Sequence, residues 1–226
     1  MREGPTRHDP PPASAEAIEL RDGSRMVVRP IRPDDKDAIA AGFDRLSAQS
    51  RYRRFFAPLT ELGEVELAYL TEVDHRDHEA LIAFDVDTRE PVGVARFIRN
   101  AEPHEAEVAV TVIDHWQGRG VASMLLDCLV QRAREEGITH FLAIVLSDNR
   151  EAIEMFDSVA PPGSSRRRTA SGHVELVIEL PEPGTPTRES KLGRTLRAAA
   201  RGVLEANPWY LIRQRIDRDA NEITDR

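Results

Sequence analysis

A glycine-rich turn, Gln117-Gly118-Arg119-Gly120, divides two hydrophobic periods that no single element can carry. Before it, from Glu105 to Ile113, Ala106, Val108, Val110 and Val112 alternate with Glu105, Glu107, Ala109 and Thr111, the two-residue period of a strand. After it, Ala122, Leu125, Leu126, Leu129, Val130 and Ala133 follow the spacing of a helix lying on a sheet, which Gly137 then ends. Phe141 to Leu146 is a continuous apolar run, the pattern of a strand covered on both faces. Helical spacing resumes at Ala152, Ile153 and Phe156, after Asn149. The order strand, glycine turn, helix, strand, helix demands a layered α/β architecture.

The flanking sequence extends this layer. Ala17 to Arg21 and Met26 to Arg29 surround the turn signal Asp22-Gly23-Ser24 and suggest a short hairpin. Pro33-Asp34-Asp35 precedes helical spacing at Ile39, Phe43 and Leu46, and a second helical stretch carries Leu67 and Leu70. Strands are expected at Ala80 to Val86 and Val92 to Ile98; with Glu105 to Ile113 they make an antiparallel meander. His173 to Leu180 alternates as a last strand before the linker Pro181-Glu182-Pro183-Gly184. From Lys191 to Arg215 six basic residues face one acidic, with Leu192, Leu196, Ala199 and Val203 on one stripe. This reads as an appended helix that packs on its own domain, on a second subunit in a homodimer, or on a membrane surface or acidic partner. The expected organisation is a disordered lead-in at 1–14, one domain at 15–182, and a linker with a basic helical extension at 183–226.

Composition removes several classes of function. No apolar run approaches the roughly 20 residues that span a bilayer. Met1 to Ser14 lacks the apolar core of a secretory signal, so residence in the cytoplasm is expected. One cysteine, Cys128, excludes an internal disulfide framework and a Cys-rich zinc site. With 31 Lys and Arg against 39 Asp and Glu, the formal charge of −8 argues against broad nucleic-acid binding, because phosphate repels such a surface.

The turn itself has a chemistry. Glycines admit close backbone approach, consecutive amides point outward, and the helix N-terminus adds positive potential, which together form an anion nest suited to a diphosphate. A Walker loop would need Gly-x-x-x-x-Gly-Lys-Ser/Thr and a dinucleotide fingerprint Gly-x-Gly-x-x-Gly; neither occurs here. A tight turn alone also calls for such glycines, and that reading stays open.

Gln-x-x-Gly-x-Ala, at Gln117 to Ala122, resembles the signature of the GNAT acetyltransferase superfamily, whose members bind acetyl-CoA. The Asn-x-x-Ala-x-x-x-Tyr/Phe spacing that the superfamily places after the next strand is matched by Asn149, Ala152 and Phe156. The resemblance covers roughly Ile18 to Leu180. Leu46 to Phe56, together with Ala106 to Val110, is similar to the bacterial branch of protein-lysine acetyltransferases.

The resemblance implies a mixed, mostly antiparallel sheet with helices on both faces. It also implies a pantetheine arm pairing with the backbone of Val110 and Val112, in a gap between that strand and the one from Phe141. The diphosphate would rest on the amides of Gly118, Arg119, Gly120, Val121, Ala122 and Ser123, next to Gln117, and no metal is required. Asn149 would bond the pantetheine or hold the loop, unless it only caps a helix.

The implied reaction is direct acetyl transfer to a neutral amine. A free lysine amine has a pKa of about 10.4, so a base must accept a proton near the site. By resemblance that base is Glu107, unless Glu107 forms a cross-strand salt bridge with Arg96 or Arg99. Phe156 occupies the position where many relatives carry a tyrosine that reprotonates the leaving thiolate; water would supply the proton here, or the thiolate would leave unassisted. Protein lysine is the first-guess acceptor and a small amine the second. A longer acyl-CoA, or a non-catalytic acyl-CoA sensor, are the alternatives.

Other features carry less. Asp74-His75-Arg76-Asp77-His78 reads as a solvated loop rather than a metal site. Cys128 reads as a buried small hydrophobe, and Arg166-Arg167-Arg168 as a solvated loop between strands. Gln49, Arg51 and Arg54 fall in the segment that, by resemblance, lines the acceptor side.

Overall fold

The computed structural model describes residues 17–170 and 172–182. The expected lead-in at 1–14 and the basic extension at 183–226 lie outside the described residues. One eight-stranded sheet runs in the order β1-β2-β3-β4-β5-β6-β8-β7. Its strands are β1 Ile18–Glu19, β2 Arg25–Pro30, β3 His78–Asp85, β4 Pro91–Arg99, β5 Glu105–Val112, β6 His140–Leu146, β7 Arg166–Ala170 and β8 His173–Glu179. Every pairing is antiparallel except β5 with β6. The helices are α1 Lys36–Asp44, α2 Ala48–Phe55, α3 Glu64–Thr71, α4 Val121–Glu135 and α5 Arg150–Val159.

The alternation in β5 sets the two layers. Ala106, Val108, Val110 and Val112 are buried in one cluster with Phe97, Phe141, Leu176, Ile178 and the α4 residues Leu125, Leu126 and Leu129. On the other face Ile82, Val94, Ala109 and Thr111 look toward Ala38, Ile39 and Phe43 of α1. Helices therefore cover both faces of the central strands, as expected for this fold class. α4 stops where Gly137 takes φ +76°, with Ile138 N–H donating to Ala133 (2.9 Å) and Gly137 N–H to Arg134 (3.1 Å), a Schellman closure.

Two expectations need correction. Phe141 to Leu146 is not covered on both faces: Phe141, Ala143 and Val145 are fully buried, whereas Leu142, Ile144 and Leu146 are half-buried. An apolar run identifies the strand but not which faces are sealed. Arg166 to Arg168 is not a loop but the outer strand β7, paired with β8 through Arg166↔Val177 and Arg168↔Glu175. An edge strand needs no apolar alternation, and its exposed arginines discourage pairing with another chain. The solvated loop expected from Asp74 to His78 is found at Asp74 to Asp77, with Asp74, Arg76 and Asp77 exposed, and it is closed by Asp74. Asp74 Oδ1 accepts from the amides of Arg76, Asp77 and His78 at 2.8–2.9 Å, and His78 already belongs to β3.

Candidate active site

The parallel pair β5 and β6 separates as it runs. Its register holds Glu105↔His140, Ala106↔Phe141 and Glu107↔Leu142, and stops there. Ile113 N–H donates to Val92 at 3.0 Å, and the Glu105 carbonyl accepts from Asn100 at 2.9 Å, so the odd residues of β5 bond toward β4. By alternation Val110 and Val112, beyond the last rung, turn their backbone groups toward β6, which has diverged there. Diverging parallel strands leave a crevice at their C-terminal ends, the position where open α/β sheets accommodate ligands.

Both ends of that crevice are built by turns. After Val112 a short 3₁₀ turn, Asp114–Trp116, leads to Gln117, and the chain enters α4 through Gly118 at φ +71° and Gly120 at φ +92°. That left-handed geometry suits glycine. Among the described residues, none of the amides from Gly118 to Ser123 donates a hydrogen bond, while Met124 N–H returns to Gly120 at 3.0 Å and starts the helix. Six consecutive amides and a helix dipole thus point outward at one place.

Side chains fix this loop. Gln117 Nε2 donates to the Val112 carbonyl at 2.9 Å and to Asp114 Oδ1 at 3.2 Å. Asp114 also accepts from Ser50 Oγ (2.7 Å) and from the amide of Ser47 (3.0 Å), the residue whose hydroxyl caps α2. The loop and α2 are thereby one hydrogen-bonded unit. Asp114 and fully buried Ser50 were not singled out from the sequence, because the bond that joins them spans 64 positions. Arg119 lies over Trp116 with its guanidinium 3.8 Å from the ring centroid, and donates to Asp22 and to Ser24 Oγ, both at 2.5 Å. Burial acts to raise the Asp22 pKa, but the Ser24 amide and Arg119 outweigh it and hold the carboxyl below its ordinary value. The Arg119 side chain thus braces the loop against the β1–β2 turn.

At the end of β6, Asn149 caps α5, its Oδ1 accepting from Ala152 N–H at 3.3 Å. The residue is 3% exposed, and its Nδ2 has no hydrogen-bond partner. A buried amide donor left over beside a crevice is costly unless something that binds there accepts from it.

Comparison with known proteins agrees with this geometry. The Acetyltransferase (GNAT) family matches residues 46–159, half of the chain. This chain belongs to the GNAT acetyltransferase family. It is 32% identical over 192 residues to the acetyltransferase Pat of Mycolicibacterium smegmatis, covering 84% of this chain but only 56% of that protein. It is 31% identical over 134 residues to an acetyltransferase of Pseudomonas aeruginosa, covering 58% of this chain and 72% of the relative. The crystal structure of the GNAT domain of S. lividans PAT superposes with a TM-score of 0.66 at 34% identity, over 75% of this chain and 99% of that one. The chain thus groups with the Pat branch and spans about half the length of its Mycolicibacterium relative.

In this GNAT domain the remaining singled-out residues fall as follows. Glu107 is half-buried at the fork, on the face opposite Val108 and Val110. Arg99, one of its two suggested cross-strand partners, engages Asp77 (2.7 Å) and the Glu136 carbonyl (2.9 Å); Arg96 engages His78 and the Leu70 carbonyl, both at 3.1 Å. Phe156 is fully buried on α5. Cys128 is half-buried on α4, more exposed than its helical neighbours led us to expect. Among the described residues no helix is long and apolar enough to cross a membrane, and no three His, Cys, Asp or Glu cluster as metal ligands do.

Proposed function

We propose that this chain is an acetyl-CoA-dependent N-acetyltransferase acting on a primary amine, with a protein lysine as the first acceptor to test. The observation that carries the reading is the fork after Glu107↔Leu142, flanked by six unbonded amides on one side and by the buried Asn149 donor on the other. A narrow crevice with backbone donors along one wall suits a pantetheine arm, and an amide nest at its end suits a diphosphate. Val110 and the amide of Val112 would pair with the arm; the Val112 carbonyl is already engaged by Gln117. Asn149 Nδ2 would donate to it. The amides of Gly118 to Ser123 would hold the diphosphate, with Gln117 and the Arg119 side chain keeping the loop in shape.

Acetyl-CoA supplies the activated acyl group as a thioester. Lysine is protonated at neutral pH, with a pKa of about 10.4, so attack requires a base. Glu107 sits where the strands part, beside the end of the crevice, and would accept that proton. With Phe156 buried in the core, the proton for the departing thiolate comes from solvent. A thiol of pKa about 8.5 leaves readily enough to allow this.

Calorimetry with acetyl-CoA, followed by measurement of CoA release with lysine-bearing proteins and with small amines, tests the reading. Saturable binding and acceptor-dependent release are expected. Binding without release from any acceptor would leave a sensor, and no binding to well-folded protein would remove the cosubstrate.

A further inference from the structure

On the sheet face that carries Glu107, α1 packs against β4. The other half of the sheet, β6 and β8, is packed by α5, which lies on the opposite face, where Arg167 of β7 engages its Asp157. Leu142, Ile144 and Leu146 of β6 and Val177 of β8 therefore form an aliphatic row on the Glu107 side, with Leu142 and Val177 paired across the strands. All four are half-buried. A contiguous aliphatic row that reaches the surface marks an interaction site in a way that scattered single side chains do not.

The described chain ends beside this row. Glu179 pairs with His140, the residue that opens β6, and Leu180 N–H donates to the Thr139 carbonyl at 2.8 Å. Glu182 then engages Arg134 of α4 at 3.0 Å. Residues 183–190 extend to about 26 Å, enough to round a sheet edge about 10 Å thick and return to the Glu107 side. The sequence that follows has the complementary pattern, with Leu192, Leu196, Ala199 and Val203 on one helical stripe and Arg194, Arg197 and Arg201 among them. As a helix that stripe measures about 17 Å, against about 20 Å from His140 to Leu146 along β6. Charge matches as well. Glu105 and Glu179 flank His140 across the sheet and Glu107 pairs with Leu142, while six basic residues face one acidic between Lys191 and Arg215. Arg166 and Arg168, the arginines of this face, stand at its far edge on β7.

We propose that residues 191–203 dock in cis as a helix along this row, their apolar stripe on Leu142, Ile144, Leu146 and Val177 and their basic residues toward the acidic end of the face. A short tether favours this occupant over a free partner, because it holds the segment near the row at an effective concentration of about a millimolar or more. Leu142 belongs both to the row and to the rung with Glu107, so the docked segment borders the proposed base. The docking does not depend on the acetyl-transfer reading, because exposure of the row is measured without acetyl-CoA.

The test is hydroxyl-radical footprinting of the full chain, read by mass spectrometry as the oxidation of individual side chains. In the double variant Leu192→Asp with Leu196→Asp, oxidation of Leu142, Ile144, Leu146 and Val177 should rise severalfold over wild type, while exposed Val65 of α3 stays unchanged. Arg194→Glu with Arg197→Glu reverses the charge and leaves the stripe intact; it should raise oxidation of the same four residues, and it keeps the test valid if the first variant aggregates. Wild-type protection should persist on serial dilution to concentrations at which sedimentation shows only monomer. Equal oxidation of the row in wild type and both variants would overturn the proposal. Protection that fades on dilution would overturn it in favour of a second copy. Exposure of the row on adding vesicles of phosphatidylglycerol and phosphatidylcholine in equal parts would overturn it in favour of a membrane surface.

Discussion

Glu107 and Leu142 form the last rung between β5 and β6, and both half-buried side chains stand on the sheet face away from α4. The base proposed at that point would reach the crevice without lining the part of it that would hold the cosubstrate's arm. Glu107→Gln keeps size and hydrogen-bonding capacity but cannot take a proton. It should lower CoA release about 10²- to 10⁴-fold while acetyl-CoA affinity by calorimetry stays near wild type. Turnover within a few-fold of wild type would remove Glu107 from the chemistry.

Asn149 presents two separable groups. Its Oδ1 caps α5 and its Nδ2 has no partner. Asn149→Asp retains the capping oxygen and removes the donor, so it should preserve thermal stability while weakening acetyl-CoA. Asn149→Ala should lose both, with a stability cost of about 1 kcal/mol for the cap. Equal acetyl-CoA affinity in all three proteins would restrict Asn149 to the helix cap.

Elements whose hydrophobic period matches their geometry were legible from the chain alone. The α4 stripe and the meander of β3, β4 and β5 emerge within one to three residues of their expected ends. β7 was not legible, because a solvated edge strand of three arginines needs no buried face. Neither was α2, whose inward positions Ser50 and Arg54 are polar and so carry no apolar stripe. The glycine turn and Asn149 could be located because their local chemistry is distinctive. The link from Asp114 to Ser50, and the meeting of Arg54 with Arg96 in one cavity, are products of tertiary packing and have no local signature.

Gly93 of β4 shows how closely the strands beside the crevice are packed. A Cβ there would lie 2.8 Å from the Thr111 carbonyl and 3.2 Å from both Leu125 Cδ1 and Val112 Cγ2. The carbonyl belongs to the sheet backbone and cannot rotate aside. Gly93→Ala should therefore cost about 1–3 kcal/mol in urea unfolding, typical of overpacking, and weaken acetyl-CoA by displacing β5. An unchanged unfolding midpoint would show that β4 and β5 yield more easily than this spacing allows.

Arg119 separates bracing from charge. Its guanidinium stacks on Trp116 and bonds the β1–β2 turn at Asp22 and Ser24. Lysine keeps the charge but cannot reproduce a planar fork and stack together. If bracing is the function, Arg119→Lys and Arg119→Ala should weaken acetyl-CoA alike, by about 5- to 20-fold (roughly 1–2 kcal/mol). Near-complete retention of affinity in the lysine variant would instead make Arg119 a direct charge partner of the diphosphate.

Arg96 makes a prediction in alkaline solution. In the folded chain its pKa lies at about 9, below the ordinary arginine range, because burial and the Arg54 charge disfavour the cation. Between that value and the arginine pKa of the unfolded chain, the unfolded state binds more protons, so this group's contribution to stability rises with pH. Urea unfolding from pH 8 to pH 10.5 should show wild type gaining stability relative to Arg96→Met, in which the group is absent. A wild-type curve that runs parallel to the variant's throughout would mean that Arg96 is not depressed by its surroundings.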